Sequence, residues 1–153
     1  MHSIPRCLAL AASGFAIAIL VACGGDSSTG PGNTNLSGNW LFGANISNGQ
    51  LSISCTASGN LAITQSGSNF SGTVSGSTET CASPAGSTSG NLDGAIAGGQ
   101  INGTSISFND NGGCIYTGTM SGNPVNRVGG NVTCSIPLQG TNYPFTGSWS
   151  VTR

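Results

Sequence analysis

Residues 143–151 read Tyr143-Pro144-Phe145-Thr146-Gly147-Ser148-Trp149-Ser150-Val151. Every second position is large and apolar, save for Gly147 at the centre, and the positions between are small and mostly polar. A helix would scatter these side chains around its axis. A strand, whose side chains alternate across the sheet, gathers Tyr143, Phe145, Gly147, Trp149 and Val151 on one face. The segment therefore reads as a half-buried β-strand, and the same reading recurs up the chain.

Leu36, Gly38, Trp40, Phe42, Ala44 and Ile46 share one face of a first strand. Leu61, Ile63 and Gln65 mark a second, which begins as early as Leu51, and Phe70, Gly72, Val74 and Gly76 a third. Leu92, Gly94 and Ile96 give a fourth, then Thr104, Ile106 and Phe108 a fifth. Cys114, Tyr116, Gly118 and Met120 form the sixth, and Val132, Cys134 and Ile136 the seventh, so that 143–151 is the eighth. Turn residues separate them: Ser66-Gly67-Ser68-Asn69, Asn102-Gly103 as a type I′ hairpin, and Asp110-Asn111-Gly112-Gly113.

Five of these strands carry a large apolar residue two positions either side of a glycine, as in Leu36-Ser37-Gly38-Asn39-Trp40, Tyr116-Thr117-Gly118-Thr119-Met120 and Phe145-Thr146-Gly147-Ser148-Trp149. The glycine falls on the inward face, where a small barrel has no room for an unbroken row of large side chains. Uncharged, flat strands with free edges would aggregate, and closing the sheet removes the edges. The predicted fold is all-β: an eight-stranded antiparallel up-and-down barrel of the lipocalin/streptavidin type, over residues 36–153.

Composition narrows the function classes. Gly, Ser, Thr and Asn make up about half of the 153 residues, only seven residues are charged, and lysine is absent. Phosphate neutralisation needs clustered Lys and Arg, so no nucleic acid is expected as a partner. The single histidine, His2, lies at the extreme N-terminus. Without a histidine or lysine in the folded region, neither a Ser-His-Asp nor a Ser-Lys centre can be built. Glu79, Asp93 and Asp110 are scattered, and Glu79 and Asp93 read as solvated side chains. Asp110-Asn111-Gly112-Gly113 lacks the further acids of a calcium loop and reads as a turn. No enzyme activity, cofactor or metal is expected.

Cys55, Cys81, Cys114 and Cys134 allow three pairings. A hairpin centred on Pro124 sets Cys114 opposite Cys134, Tyr116 opposite Val132 and Gly118 opposite Gly130. The turn at 66–69 brings Cys55 opposite Thr80, one residue short of Cys81. A single bulge near Ser58-Gly59 absorbs the difference. Disulfides Cys55–Cys81 and Cys114–Cys134 are therefore predicted, each closing a loop of about two dozen residues and stabilising by ~3–4 kcal/mol.

The N-terminus begins with Met1-His2-Ser3-Ile4-Pro5-Arg6, followed by an apolar run from Cys7 to Ala22, too short to span a bilayer comfortably. The run ends in Leu20-Val21-Ala22-Cys23. This tetrad resembles the lipobox of bacterial lipoprotein precursors. The resemblance implies residues 1–22 as a lipoprotein signal peptide, cleavage before Cys23 and acylation (palmitate included) of that residue. Residues 24–35, without an apolar side chain, read with Cys23 as a tether of ~20 Å reach. Gly24 after the lipidated cysteine, where Asp would favour the inner membrane, points to the outer membrane of a bacterial cell envelope.

Gly38-Asn39-Trp40 resembles the Gly-x-Trp opening of lipocalins and other calycins, in which a basic residue near the last strand packs across the tryptophan. Arg153 is the candidate for that place. The aromatics Trp40, Phe42, Phe70, Phe108, Tyr116, Phe145 and Trp149 are expected inside the barrel, as core or as pocket lining. The reading that follows is a monomeric, membrane-anchored barrel that binds a small apolar or amphiphilic ligand. One alternative is a protein-binding module, such as an inhibitor of a secreted protease or lysozyme, with loops at 77–90 and 122–130 as its contacts. A passive structural component of the envelope is another.

Overall fold

A computed structural model describes residues 34–153; the signal segment, Cys23 and the tether up to Asn33 lie outside the described residues. Nine strands follow one another: β1 (Gly38–Asn48), β2 (Ile53–Ser66), β3 (Asn69–Ser83), β4 (Gly86–Asn91), β5 (Gly94–Asn102), β6 (Ser105–Asp110), β7 (Cys114–Gly122), β8 (Val125–Leu138) and β9 (Thr141–Thr152). Each strand pairs antiparallel with the next in the chain, except that β5 pairs with β3 in place of β4, and β1 pairs with β9 to close the sheet. β4 and β5 lie end to end along β3, β4 on Thr78–Ser83 and β5 on Asn69–Val74. They are two halves of one barrel strand broken at Leu92-Asp93. The chain is thus the expected eight-stranded up-and-down barrel, its fourth strand starting at Gly86 rather than Leu92.

Both predicted disulfides form, Cys55–Cys81 with S–S 2.07 Å and Cys114–Cys134 with 2.01 Å. In each the two cysteines are direct cross-strand partners, and Tyr116 faces Val132 and Gly118 faces Gly130. The bulge between β2 and β3 sits at the expected level but on the other strand. Ser58 faces Thr78 and Asn60 faces Ser75, so Gly76 and Ser77 together oppose Gly59. Gly76 takes the left-handed backbone this requires, with φ +58°. Ser77 is buried, its hydroxyl donating to the Leu92 carbonyl while Leu92 N donates to Ser77 O at 3.2 Å. The bulge on β3 is bonded to the break between β4 and β5.

The β5–β6 turn is also shifted from its expected place. Asn102 pairs with Ser105, so the two central residues are Gly103 and Thr104, with Gly103 at φ +60°. A positive φ at the first central residue and not at the second, Thr104, belongs to a II′ turn, the other hairpin turn that matches strand twist.

One end of the barrel is sealed. Leu36 and Val125 are fully buried there, beside Trp40, Val128 and Val151. Arg153 binds the sealing segments together: its Nε and Nη2 donate to Val125 O at 3.0 and 2.7 Å, Nη1 to Ser37 O at 3.2 Å and Nη2 to Asn35 O at 2.9 Å. Its guanidinium lies 4.3 Å from the Trp40 ring centroid, and Trp40 Nε1 donates to Leu36 O at 2.8 Å. In the middle of the barrel Phe108 stacks on Tyr116 (4.5 Å, 7°) and meets Phe70 and Trp149 edge-on at 5.8 and 5.0 Å.

The closing seam runs between β1 and β9, where Gly147 faces Ile46. A Cβ at Gly147 would come within 1.8 Å of the Asn45 carbonyl oxygen, so the two strands approach as closely as they do only because no side chain stands there. Gly147→Ala is expected to lower unfolding free energy by about 1–3 kcal/mol, measured as a reduced denaturant midpoint. Gly49→Ala, where an added Cβ meets nothing within 4 Å, stays within about 0.5 kcal/mol. Equal effects at the two positions would refute the seam argument. Replacing Cys55 and Cys81 together by Ala should cost ~3 kcal/mol, read from the same measurement.

Candidate functional site: the cavity at the open end

Inward positions are small at one level on the side away from Arg153, between the core and the rim residues Ile46 and Ile136. Trp40, Leu61 and Phe70 fill the lower barrel, whereas Ala44, Ala57 and Gly94 face inward above them. The space this leaves is a cavity with two lobes, of about 230 and 210 Å³, that share Phe42, Leu92, Asp110, Gly112 and Tyr116 in their walls. Leu61, Val74, Ile96 and Phe108 complete the first lobe; Ala57, Glu79, Cys134 and Ile136 are among those completing the second. β4 has only β3 as a partner, so the wall is unpaired between the Leu92-Asp93 break and the 110–113 turn. Both of those segments line the first lobe, which puts its mouth there.

Of the seven aromatics expected inside, Phe42, Phe108 and Tyr116 face the cavity. Trp40, Phe70, Phe145 and Trp149 are buried as core. Trp149, whose Nε1 donates to Thr117 O at 3.0 Å, lies 5.7 Å from the Tyr116 ring and so stands next to the cavity without lining it.

The polar side chains of the cavity are the acids, the Tyr116 phenol and, in the first lobe, the Asn111 amide. Asp110 Oδ1 accepts from Gly112 N at 2.9 Å and from Cys114 N at 2.8 Å, fixing the β6–β7 turn. Its Oδ2 accepts from the Tyr116 hydroxyl at 3.0 Å. These bonds make Asp110-Asn111-Gly112-Gly113 a side-chain-capped turn, as its sequence indicates. Burial drives the Tyr116 phenol well above its ordinary range; the charge of Asp110, its hydrogen bond and the charge of Glu79 push in the same direction.

Glu79 departs from its expected place as a solvated side chain: it lines the second lobe together with Asp110. The cause is the β3 bulge. Before it, Phe70, Gly72 and Val74 point inward; after it, Ser77, Glu79 and Cys81 do. Asp93 lines the first lobe instead, so the acids that share a lobe wall with Glu79 do not include it. Cys55, Glu79 and Cys81 gather ligand atoms within 4.8 Å of one another, but both sulfurs are spent in the disulfide, leaving a single carboxylate and no metal-binding set.

The stretches 77–90 and 122–130, expected as contact loops, are β-hairpins. Cys81 and its neighbours belong to β3, with the turn confined to Pro84-Ala85; the second hairpin turns at Asn123-Pro124 through a cis peptide bond. Ladder pairing of Thr78–Ser83 with Gly86–Asn91 consumes the first, and extension of β7 and β8 consumes the second. The exposed face of the barrel carries mostly Ser, Thr and Asn, as in Thr56, Thr78, Thr80, Thr119 and Ser148, with Leu41 and Ile115 as its exposed large apolar residues. A lipid-embedded barrel needs an apolar band there. No family model matches the chain, and neither a curated protein nor a solved structure is significantly similar to it.

Tyr116 gives this site a measurable signature. A phenol ionises near pH 10 in an unfolded chain, while Tyr116 keeps its proton well beyond that in the folded barrel. Below pH 10 its contribution to stability is fully present. Above it the unfolded state gains from ionisation, so unfolding free energy should fall as pH rises past 10. In Tyr116→Phe that alkaline decline should flatten, as followed by urea unfolding at several pH values; an unchanged decline would contradict the burial of the phenol.

Proposed function

We propose that the chain is a non-catalytic lipoprotein of the bacterial envelope, anchored through Cys23, whose barrel holds a small amphiphilic molecule in the cavity at its open end. The cavity is the observation that carries the ligand reading. Mainly apolar walls with a few convergent polar groups are the general make-up of small-molecule sites. Its lobes, at about 230 and 210 Å³, fall below the ~300–1,000 Å³ of typical ligand pockets. A ligand of one ring or a short chain fits that space; a long acyl chain does not. The anchor reading rests on Leu20-Val21-Ala22-Cys23 and on the apolar run before it. Two or more acyl chains hold a protein durably at a bilayer, and the tether at 24–35 lifts the barrel clear of it. Gly24 after Cys23, where Asp would favour the inner membrane, supports the outer membrane as that bilayer.

The test has two arms. Protein extracted from envelopes should carry the mass of an acylated N-terminal Cys23, and Cys23→Ala should be released from the membrane fraction; an unmodified Cys23 would reject the anchor. Titration of the full chain in detergent with short aromatic and aliphatic amphiphiles should change Trp149 emission saturably. Ala57→Leu, which places bulk in the second lobe, should weaken that response while circular dichroism confirms the fold. Silence across the series would reject the ligand reading.

A further inference from the structure

The charge pattern of the cavity goes further than its shape. We propose that its ligand is a small organic cation, an ammonium group on an apolar body, held between Glu79 and Asp110. This inference rests on reading the cavity as a ligand site, and it commits that site to one sign of charge.

Glu79 and Asp110 are in the wall of the same lobe, with Tyr116 and Phe42. Among the described residues the basic side chains are Arg127 and Arg153, and both lie at the sealed end. Arg153 is committed there to three backbone carbonyls and the Trp40 ring. Arg127 lies on the face opposite its inward neighbour Val128, near the β7–β8 turn. The acids in the cavity therefore have no cation of the protein within the lobe. Asp110 is held by two backbone N–H groups and the Tyr116 hydroxyl, a rigid carboxylate with lone pairs to spare. Glu79 has no hydrogen-bond donor or ion-pair partner among the described residues.

Two carboxylates in one lobe wall, with no basic side chain among the described residues beside them, give the lobe a negative potential. A bound ammonium is attracted by both acids at once. A carboxylate ligand would meet repulsion from both acids, and a neutral alcohol would leave them uncompensated. The aromatic walls act in the same direction. Tyr116 and Phe42 stand in the same wall as the two acids, and aromatic rings attract cations through their quadrupole. Acids and aromatic rings around a space of about 210 Å³ are the recognition chemistry of a compact protonated amine.

Three probes of matched size decide the matter: 2-phenylethylammonium, 2-phenylethanol and 3-phenylpropionate, each titrated into the full chain in detergent, with Trp149 emission and calorimetry as readouts. The ammonium should bind about tenfold or more tighter than the alcohol, as an ionic hydrogen bond exceeds a neutral one, and the carboxylate weakest of all. Glu79→Gln should weaken ammonium binding and remove most of the difference between ammonium and alcohol. Asp110→Asn, which keeps an oxygen acceptor for the turn, should act in the same direction. Equal binding of all three probes would overturn the cationic ligand but leave the cavity a ligand site. No binding by any of them would overturn both. Displacement of the ammonium by calcium at comparable concentration would assign the acids to a metal ion and also overturn the proposal.

Discussion

The extra residue in β3 constrains everything above the middle of the barrel. Phe70 and Val74 must point inward to join the core, and Cys81 must point inward to meet Cys55 on β2. Strict alternation cannot satisfy both, because Val74 and Cys81 are an odd number of residues apart. One residue has to be absorbed between them, and Gly76 takes it at φ +58°. Three consequences follow together: the disulfide closes, Ser77 turns inward to bond Leu92 where the neighbouring strand breaks, and Glu79 changes from the wet face to the cavity. A register defect at one level thus sets the staple, the mouth and the charge of the site.

The lower half of the barrel answers a different problem. A chain with few large apolar residues cannot fill a whole cylinder, so it concentrates them. Leu36 crosses under the strands, held by Gln65 Oε1 on its backbone N at 2.6 Å, and Arg153 returns from the far terminus to tie that segment to the β7–β8 turn. The arginine does this with its guanidinium over the Trp40 ring, combining a charge, a ring face and several carbonyls in one side chain. With one end sealed this way, bulk is spent below and the small residues Ala44, Ala57 and Gly94 are left to line the open end. The cavity is the remainder of an economical core.

Much of this was legible in the chain itself. Period-two alternation marked all eight barrel strands, and hairpin arithmetic selected the cysteine pairing, because both depend on local geometry that composition does not blur. Arg153 at Trp40 was visible through the Gly38-Asn39-Trp40 resemblance. The bulge was legible both as a need and as a strand: Cys55 meets Cys81 rather than Thr80 only if the extra residue lies on β3, so the placement near Ser58-Gly59 has the level right and the strand wrong. A second bulge, at Gly98-Gly99 on β5, left only its glycine pair as a signal. Residues 77–90 and 122–130 looked like loops because strands whose two faces are both small or polar show no hydrophobic period. All six residues of β4 are exposed, and pairing with β3 alone defines it.

Glu79 shows how a site residue hides in such a chain. Read by the parity of Phe70, Gly72 and Val74, it belongs outside, where a carboxylate in a polar strand needs no explanation. Read back from Cys81, which the disulfide forces inward, it stands two residues away on the same face and must point into the barrel. The two readings conflict, and the conflict itself locates the bulge between Val74 and Glu79. A cross-strand disulfide is therefore more than a staple here: it fixes the parity of its strand, and with it which neighbouring polar side chains enter the interior. In a chain this poor in charge, the placement of one carboxylate by that rule decides whether the cavity is merely oily or has a sign.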